Sequence, residues 1–182
     1  YVKGNEKLFD NVNLHQITTG RELIDMNKSS KKNNKQSLIV SNPNFNLTKY
    51  PSYKKLEKSI PIKFSQKRSR KLKSIFWNSL PGTEKEGETI RKLTQGKSFT
   101  KNNATVIAIQ AENSPKILHI ASHSYFIQNN SEDENPLLKS GVVLAGANYP
   151  DNNPFDDGYL TALEVTRLNL EGTELTVISG CE

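Results

Sequence analysis

Short β-branched runs punctuate a polar chain. Ser37-Leu-Ile-Val-Ser41, Ile117-Leu-His-Ile-Ala-Ser-His123, Gly141-Val-Val-Leu-Ala145 and Leu175-Thr-Val-Ile-Ser-Gly-Cys181 each place apolar side chains on consecutive positions, the pattern of strands covered on both faces. They read as buried strands. Between them the spacing changes: Thr83-Glu-Lys-Glu86 has the form of a capping box, and Ile90 and Leu93 follow at helical intervals, which predicts a helix over 83–94. Leu160-Thr-Ala-Leu-Glu-Val-Thr-Arg167 reads as a second, short amphipathic helix, entered through an Asp156-Asp157-Gly158 turn. Residues 104–111 suit a strand or a helix by propensity alone. Strands alternating with helices predict an α/β fold with a mostly parallel central sheet flanked by helices on both faces.

Residues 43–80 break this rhythm. Pro43, Pro51 and Pro61 and many lysines mark an excursion from the core, centred on an insertion or flexible loop at 47–78. With 182 residues the chain is one domain's worth of core. No apolar stretch approaches the 18 residues that would suggest a membrane span, and the first residues lack a signal peptide's apolar core, so no membrane association is expected. One cysteine permits no internal disulfide, which suits a reducing cytoplasm.

Charge is divided along the chain. Residues 28–101 hold 19 of the 25 basic residues, whereas 102–182 hold three against eleven acidic ones. The runs Lys28-Ser-Ser-Lys-Lys-Asn-Asn-Lys35 and Lys67-Arg-Ser-Arg-Lys-Leu-Lys73 would suit phosphates. Without regularly interleaved aromatics they read first as solvated loops, and a nucleic-acid-responsive module is the minor, second alternative.

Chemistry concentrates at two strand ends. In a parallel sheet, His123 and Cys181, 58 residues apart, leave their strands at the same edge. An imidazole beside a thiol is what a cysteine needs to react as a thiolate near neutral pH. Either residue alone reads as structural; paired at matching strand ends they read as a Cys/His dyad. A zinc site from His119, His123 and Cys181 lacks a fourth spaced ligand, so no metal and no cofactor is expected, and His119 reads as a core residue. Gly96-Lys97-Ser98 imitates the end of a phosphate-binding loop, but Arg91 occupies the place of its first glycine.

Four blocks carry a family resemblance: His119-Ile-Ala-Ser-His123, residues Asn135 to Asn148, Asp157-Gly-Tyr-Leu-Thr-Ala-Leu-Glu164, and Gly172 to Glu182. In this order they resemble the CHAT family, caspase-like modules often attached to tetratricopeptide repeats and frequent in cyanobacteria. Thr18 to Leu23, Ser41 to Asn44 and Leu80 to Glu84 resemble its first half more loosely. The resemblance implies a caspase–haemoglobinase architecture and a helix at 104–111. It also implies a single domain over 1–182 whose C-terminal part, with further strands and much of the substrate groove, would follow the nucleophile.

The resemblance further implies a cysteine endopeptidase acting on a protein substrate in a bacterial cytoplasm. Cys181 would attack the scissile carbonyl, and His123 would either assist its deprotonation or protonate the leaving amine. The backbone N–H groups of Ser124 and Cys181 would hold the oxyanion, and tetratricopeptide-repeat or sensor regions, in cis or trans, would gate activity. Family members commonly carry glycine where this chain has Ser124, which keeps an inactive scaffold for protein–protein contacts as the alternative. Acidic side chains between the two strand ends, Asp156 and Asp157 foremost, are the candidate pocket, and they predict arginine or lysine before the cut.

Overall fold

The computed structural model describes residues 35–50, 72, 75–128, 135–153 and 155–180. Four parallel strands form the central sheet: β1 (Leu38–Pro43), β2 (Lys97–Lys101), β3 (Ile117–Ala121) and β7 (Leu175–Ser179), in the order β2-β1-β3-β7. β1 is buried on both faces because each face carries a helix. Leu38 and Val40, with Leu118 and Ile120 of β3, pack against Val106 and Ile109 of α2 (Val106–Gln110). Ile39 and Ser41 point the other way, under α1 (Gly82–Thr94), where a side chain at Gly87 would meet Ser41 Oγ at 2.1 Å.

The winding explains why the helices lie on opposite faces. From β1 the chain steps one way across the sheet to β2 through α1, then back past β1 to β3 through α2. Right-handed crossovers in opposite directions need opposite faces. The reversal leaves a switch point at the carboxyl ends of β1 and β3, where α/β sheets bind ligands.

A second, antiparallel sheet grows from the end of β3. It consists of β4 (Ser124–Phe126), β5 (Ser140–Val143) and β6 (Tyr159–Thr161), in the order β4-β5-β6, with α3 (Ala162–Val165) after β6. Ser122 lies at the junction: its N–H still donates to Ser179 O at 3.0 Å, while its hydroxyl donates to Val143 O in the other sheet. Tyr125, Val143 and Tyr159 then build a second core with Phe45, Trp77 and Ala147.

Several expectations are corrected. The 141–145 run pairs antiparallel in the second sheet, not in the parallel one. Residues 159–161 are a strand, and the predicted 160–167 helix shrinks to one turn, capped by the reciprocal Thr161–Glu164 bonds. The capping box predicted at Thr83 does not form, because Thr83 Oγ1 bonds Leu80 O and Asn42 N, while Glu86 reaches His119. β1 runs on past the Ser37–Ser41 run: Asn42, at φ 46°, makes a bulge, after which Pro43 pairs with Lys101. Of the 47–78 stretch, Leu47 and Trp77 are buried core residues, while 51–71 lie outside the described residues.

Candidate active site

His123 is the first residue to leave the central sheet at its carboxyl edge. β3 ends at Ala121, so strand alternation does not carry from His119 to His123, and the two imidazoles go different ways. His119, 5% exposed, donates from Nε2 to Glu86 at 3.0 Å, and Ser179 Oγ donates to the other oxygen of Glu86 at 3.3 Å. One carboxylate thus pins α1 to both β3 and β7.

The His123 ring packs on two aromatic rings, with centroids 5.3 Å from Phe45 and 5.2 Å from Trp77. Its Nε2 is 2.9 Å from the carbonyl oxygen of Asn78. A carbonyl only accepts, so Nε2 carries the proton of the neutral ring and Nδ1 carries the lone pair. The ring is therefore oriented, and set in the tautomer whose basic nitrogen is Nδ1.

Cys181 lies outside the described residues, one peptide bond beyond Gly180. Gly180 is packed against the histidine segment: a Cβ there would meet Ser122 O at 2.7 Å and Ser124 Oγ at 3.3 Å. Such an approach tolerates only glycine. Ser124 opens β4 opposite Val142. Val143 N donates to His123 O and Ile127 N to Lys139 O, which makes these the hydrogen-bonded pairs of the ladder. By antiparallel alternation the Ser124–Val142 pair is not hydrogen-bonded, so the Ser124 N–H turns away from β5.

The two acidic candidates separate. Asp156 is 3% exposed and faces inward, its oxygens accepting from Ile107 N at 3.0 Å and Gly158 N at 3.1 Å. It holds the start of α2 to the 156–158 turn and does not line an open surface. Burial raises its carboxyl to about 7, against the lowering effect of those two N–H groups; the nearby Glu164 adds to the rise. Asp157 is half-buried, with Oδ1 accepting from Tyr159 N. Glu132, Asp133 and Glu134 lie outside the described residues, as do the two lysine-rich runs except Lys35 and Leu72.

Beside Phe45, at the carboxyl ends of β1 and β2, opens a cleft of about 220 Å³ lined by Asn42, Pro43, Asn44, Phe45, Asn46, Ser79, Lys101 and Asn102. Its amide lining had no periodic signal in the sequence. Nor had Trp77 or Asn78, which hold the imidazole from a segment without regular structure.

A parallel α/β sheet, wound about a switch point and presenting an oriented imidazole at its carboxyl edge, defines a caspase-like class of protein. The family model of the CHAT domain matches residues 2–182, and the chain belongs to that family. Neither curated proteins nor solved structures gave a match to this chain. Among the described residues, no helix is long and apolar enough to cross a membrane.

Proposed function

We propose that this CHAT domain is a cysteine endopeptidase module acting through Cys181 and His123. The observation that carries the reading is the state of His123: Nε2–H is spent on Asn78 O, and the basic Nδ1 is left for a partner at the sheet edge where Gly180 meets residues 122–124. Nδ1 takes the thiol proton of Cys181, and the thiolate attacks the scissile carbonyl carbon. The N–H groups of Ser124 and Cys181 receive the oxyanion; the orientation of Ser124 away from β5 supports its part. Collapse expels the amine, which takes its proton from Nδ1–H, and water, deprotonated by the same nitrogen, hydrolyses the thioester.

The substrate is a protein, cut after arginine or lysine. Of the two acids first considered, Asp157 is the better placed to receive that cation, since Asp156 is occupied inside the core. Repeat or sensor segments outside this chain gate the module, and its setting is the bacterial cytoplasm. A second reading is favoured by one observation: Ser124 puts a side chain against Gly180 where the family commonly has none. On that reading the fold is a protein-binding scaffold without turnover.

Alkylation of Cys181 near pH 7 tests the dyad. The parent chain should react faster than a free cysteine, and His123→Ala should slow it. Equal rates in both proteins would remove the imidazole from the mechanism. Peptide cleavage abolished by Cys181→Ala separates the enzyme from the scaffold.

A further inference from the structure

The side-chain amide of Asn148 grips the peptide of Trp77 from both sides. Asn148 Oδ1 accepts from Trp77 N at 2.9 Å, and Nδ2 donates to Trp77 O at 3.0 Å. The second Nδ2 hydrogen goes to Asn46 Oδ1 at 2.8 Å. Both N–H donors and one lone pair of the oxygen are used, and exchanging oxygen and nitrogen would set donor against donor and acceptor against acceptor. The amide therefore has one orientation here. Its backbone adds a further tie, because Asn148 N donates to Phe45 O at 3.0 Å.

These bonds converge on His123. Trp77 and Phe45 are the two rings packed on its imidazole, and the residue after Trp77 supplies the carbonyl that takes the Nε2 proton. The segment carrying Trp77 and Asn78 has no helix or strand to hold it. What holds it is the Asn148 clamp, together with the indole N–H donating to Tyr159 Oη at 2.9 Å.

We propose that Asn148 is a positioning residue for His123. By fixing the Trp77 peptide it sets the Asn78 carbonyl, and through that carbonyl it selects the imidazole tautomer that leaves Nδ1 basic. The inference rests on the dyad reading only for its catalytic consequence; the geometric claim stands by itself.

Imidazole ¹⁵N resonances of the full chain read the tautomer directly, and three histidines keep the spectrum simple. In the parent protein at neutral pH, His123 should show a pyrrole-like Nε2 and a pyridine-like Nδ1. In Asn148→Leu the two resonances should move toward each other as the tautomers mix, while His119, anchored on Glu86, stays unchanged as an internal check on the fold. Unchanged His123 resonances would overturn the proposal. If Asn148→Leu does not fold, Asn148→Asp serves: it keeps the shape and one acceptor but loses both donors, so mixing is again expected and an unchanged spectrum again refutes. In peptide cleavage, kcat should fall about tenfold to a hundredfold with KM nearly constant, as for a displaced catalytic group. A shifted tautomer without any cleavage in the parent would leave Asn148 in its role and remove the protease reading instead.

Discussion

The buried carboxyl of Asp156 makes the stability of this domain depend on pH in a direction opposite to that of most acids. Its group titrates near 7 in the folded chain, against an ordinary value of 3.8, because burial outweighs the stabilisation of the anion by Ile107 N and Gly158 N. Below pH 3.8 the group is protonated in both states and has no effect. As pH rises from there to about 7, the unfolded chain ionises it while the folded chain keeps the proton, so stability falls throughout that window and levels off above it. The difference of about three pH units corresponds to about 4 kcal/mol, at no more than about 1.4 kcal/mol per unit. Asp156→Asn removes the titration. The variant's amide leaves one of the two backbone donors facing another donor, at a pH-independent cost of about 1–3 kcal/mol. Urea unfolding of both proteins from pH 4 to 8 should therefore show the variant less stable in acid, with the gap closing or reversing above pH 7. Groups distant from Asp156 cancel in the comparison. Parallel profiles would refute the reasoning, and so would a gap that widens with pH. Glu164→Gln, which takes away the neighbouring negative charge, should move the wild-type slope to lower pH.

Three further substitutions probe the frame. Gly87→Ala would drive a methyl group to 2.1 Å from Ser41 Oγ and 2.6 Å from its Cβ, so α1 must lift from β1; a loss of about 1–3 kcal/mol in denaturant unfolding is expected, and an unchanged midpoint would show that the helix is not seated so closely. Gly180→Ala should abolish the His123-dependence of Cys181 alkylation, since its methyl group meets the backbone carbonyl of Ser122 at 2.7 Å. Adding Ser124→Gly should not restore it, because the obstructing atom belongs to the main chain; restoration would mean that the Ser124 side chain is what governs the approach. Trp77→Phe keeps an aromatic ring beside His123 but removes the donor to Tyr159 Oη and part of the buried indole volume, so unfolding should show a loss of about 1–3 kcal/mol while the His123 tautomer stays as in the parent.

Elements with a local signal are legible along the chain. β1 and β3 are apolar runs because both faces of the parallel sheet are covered there; β7 carries the same pattern at the sheet edge, where Leu175 and Ile178 are exposed rather than buried as the run predicted. The 83–94 helix appears as α1 at 82–94, its apolar spacing legible although its expected cap was wrong. The placement of His123 at the sheet edge follows from the same runs, and the order of four sequence blocks carried the family. The short strands were not legible. Lys97-Ser-Phe-Thr-Lys101 has charged ends that suit an edge strand and weaken its pattern, and the three-residue strands β4 and β6 are too short to show a period.

Packing in space selects the partner that each polar group takes. The sequence pattern makes Glu86 the partner of Thr83, three residues on in a capping box, yet the approach of α1 to the sheet at Gly87 puts it on His119 and Ser179. Asp156 and Asp157 are neighbours of one type in the sequence; the fold turns the first into the core and leaves the second half-exposed, because only one of two consecutive side chains can face α2. Trp77, Asn78 and Asn148 carry no periodic pattern, and their relation to His123 spans separations of up to 46 residues through hydrogen bonds that only chain packing creates. Hydrophobic burial is written in patterns along the chain. Hydrogen-bond pairing across it is a property of positions in space.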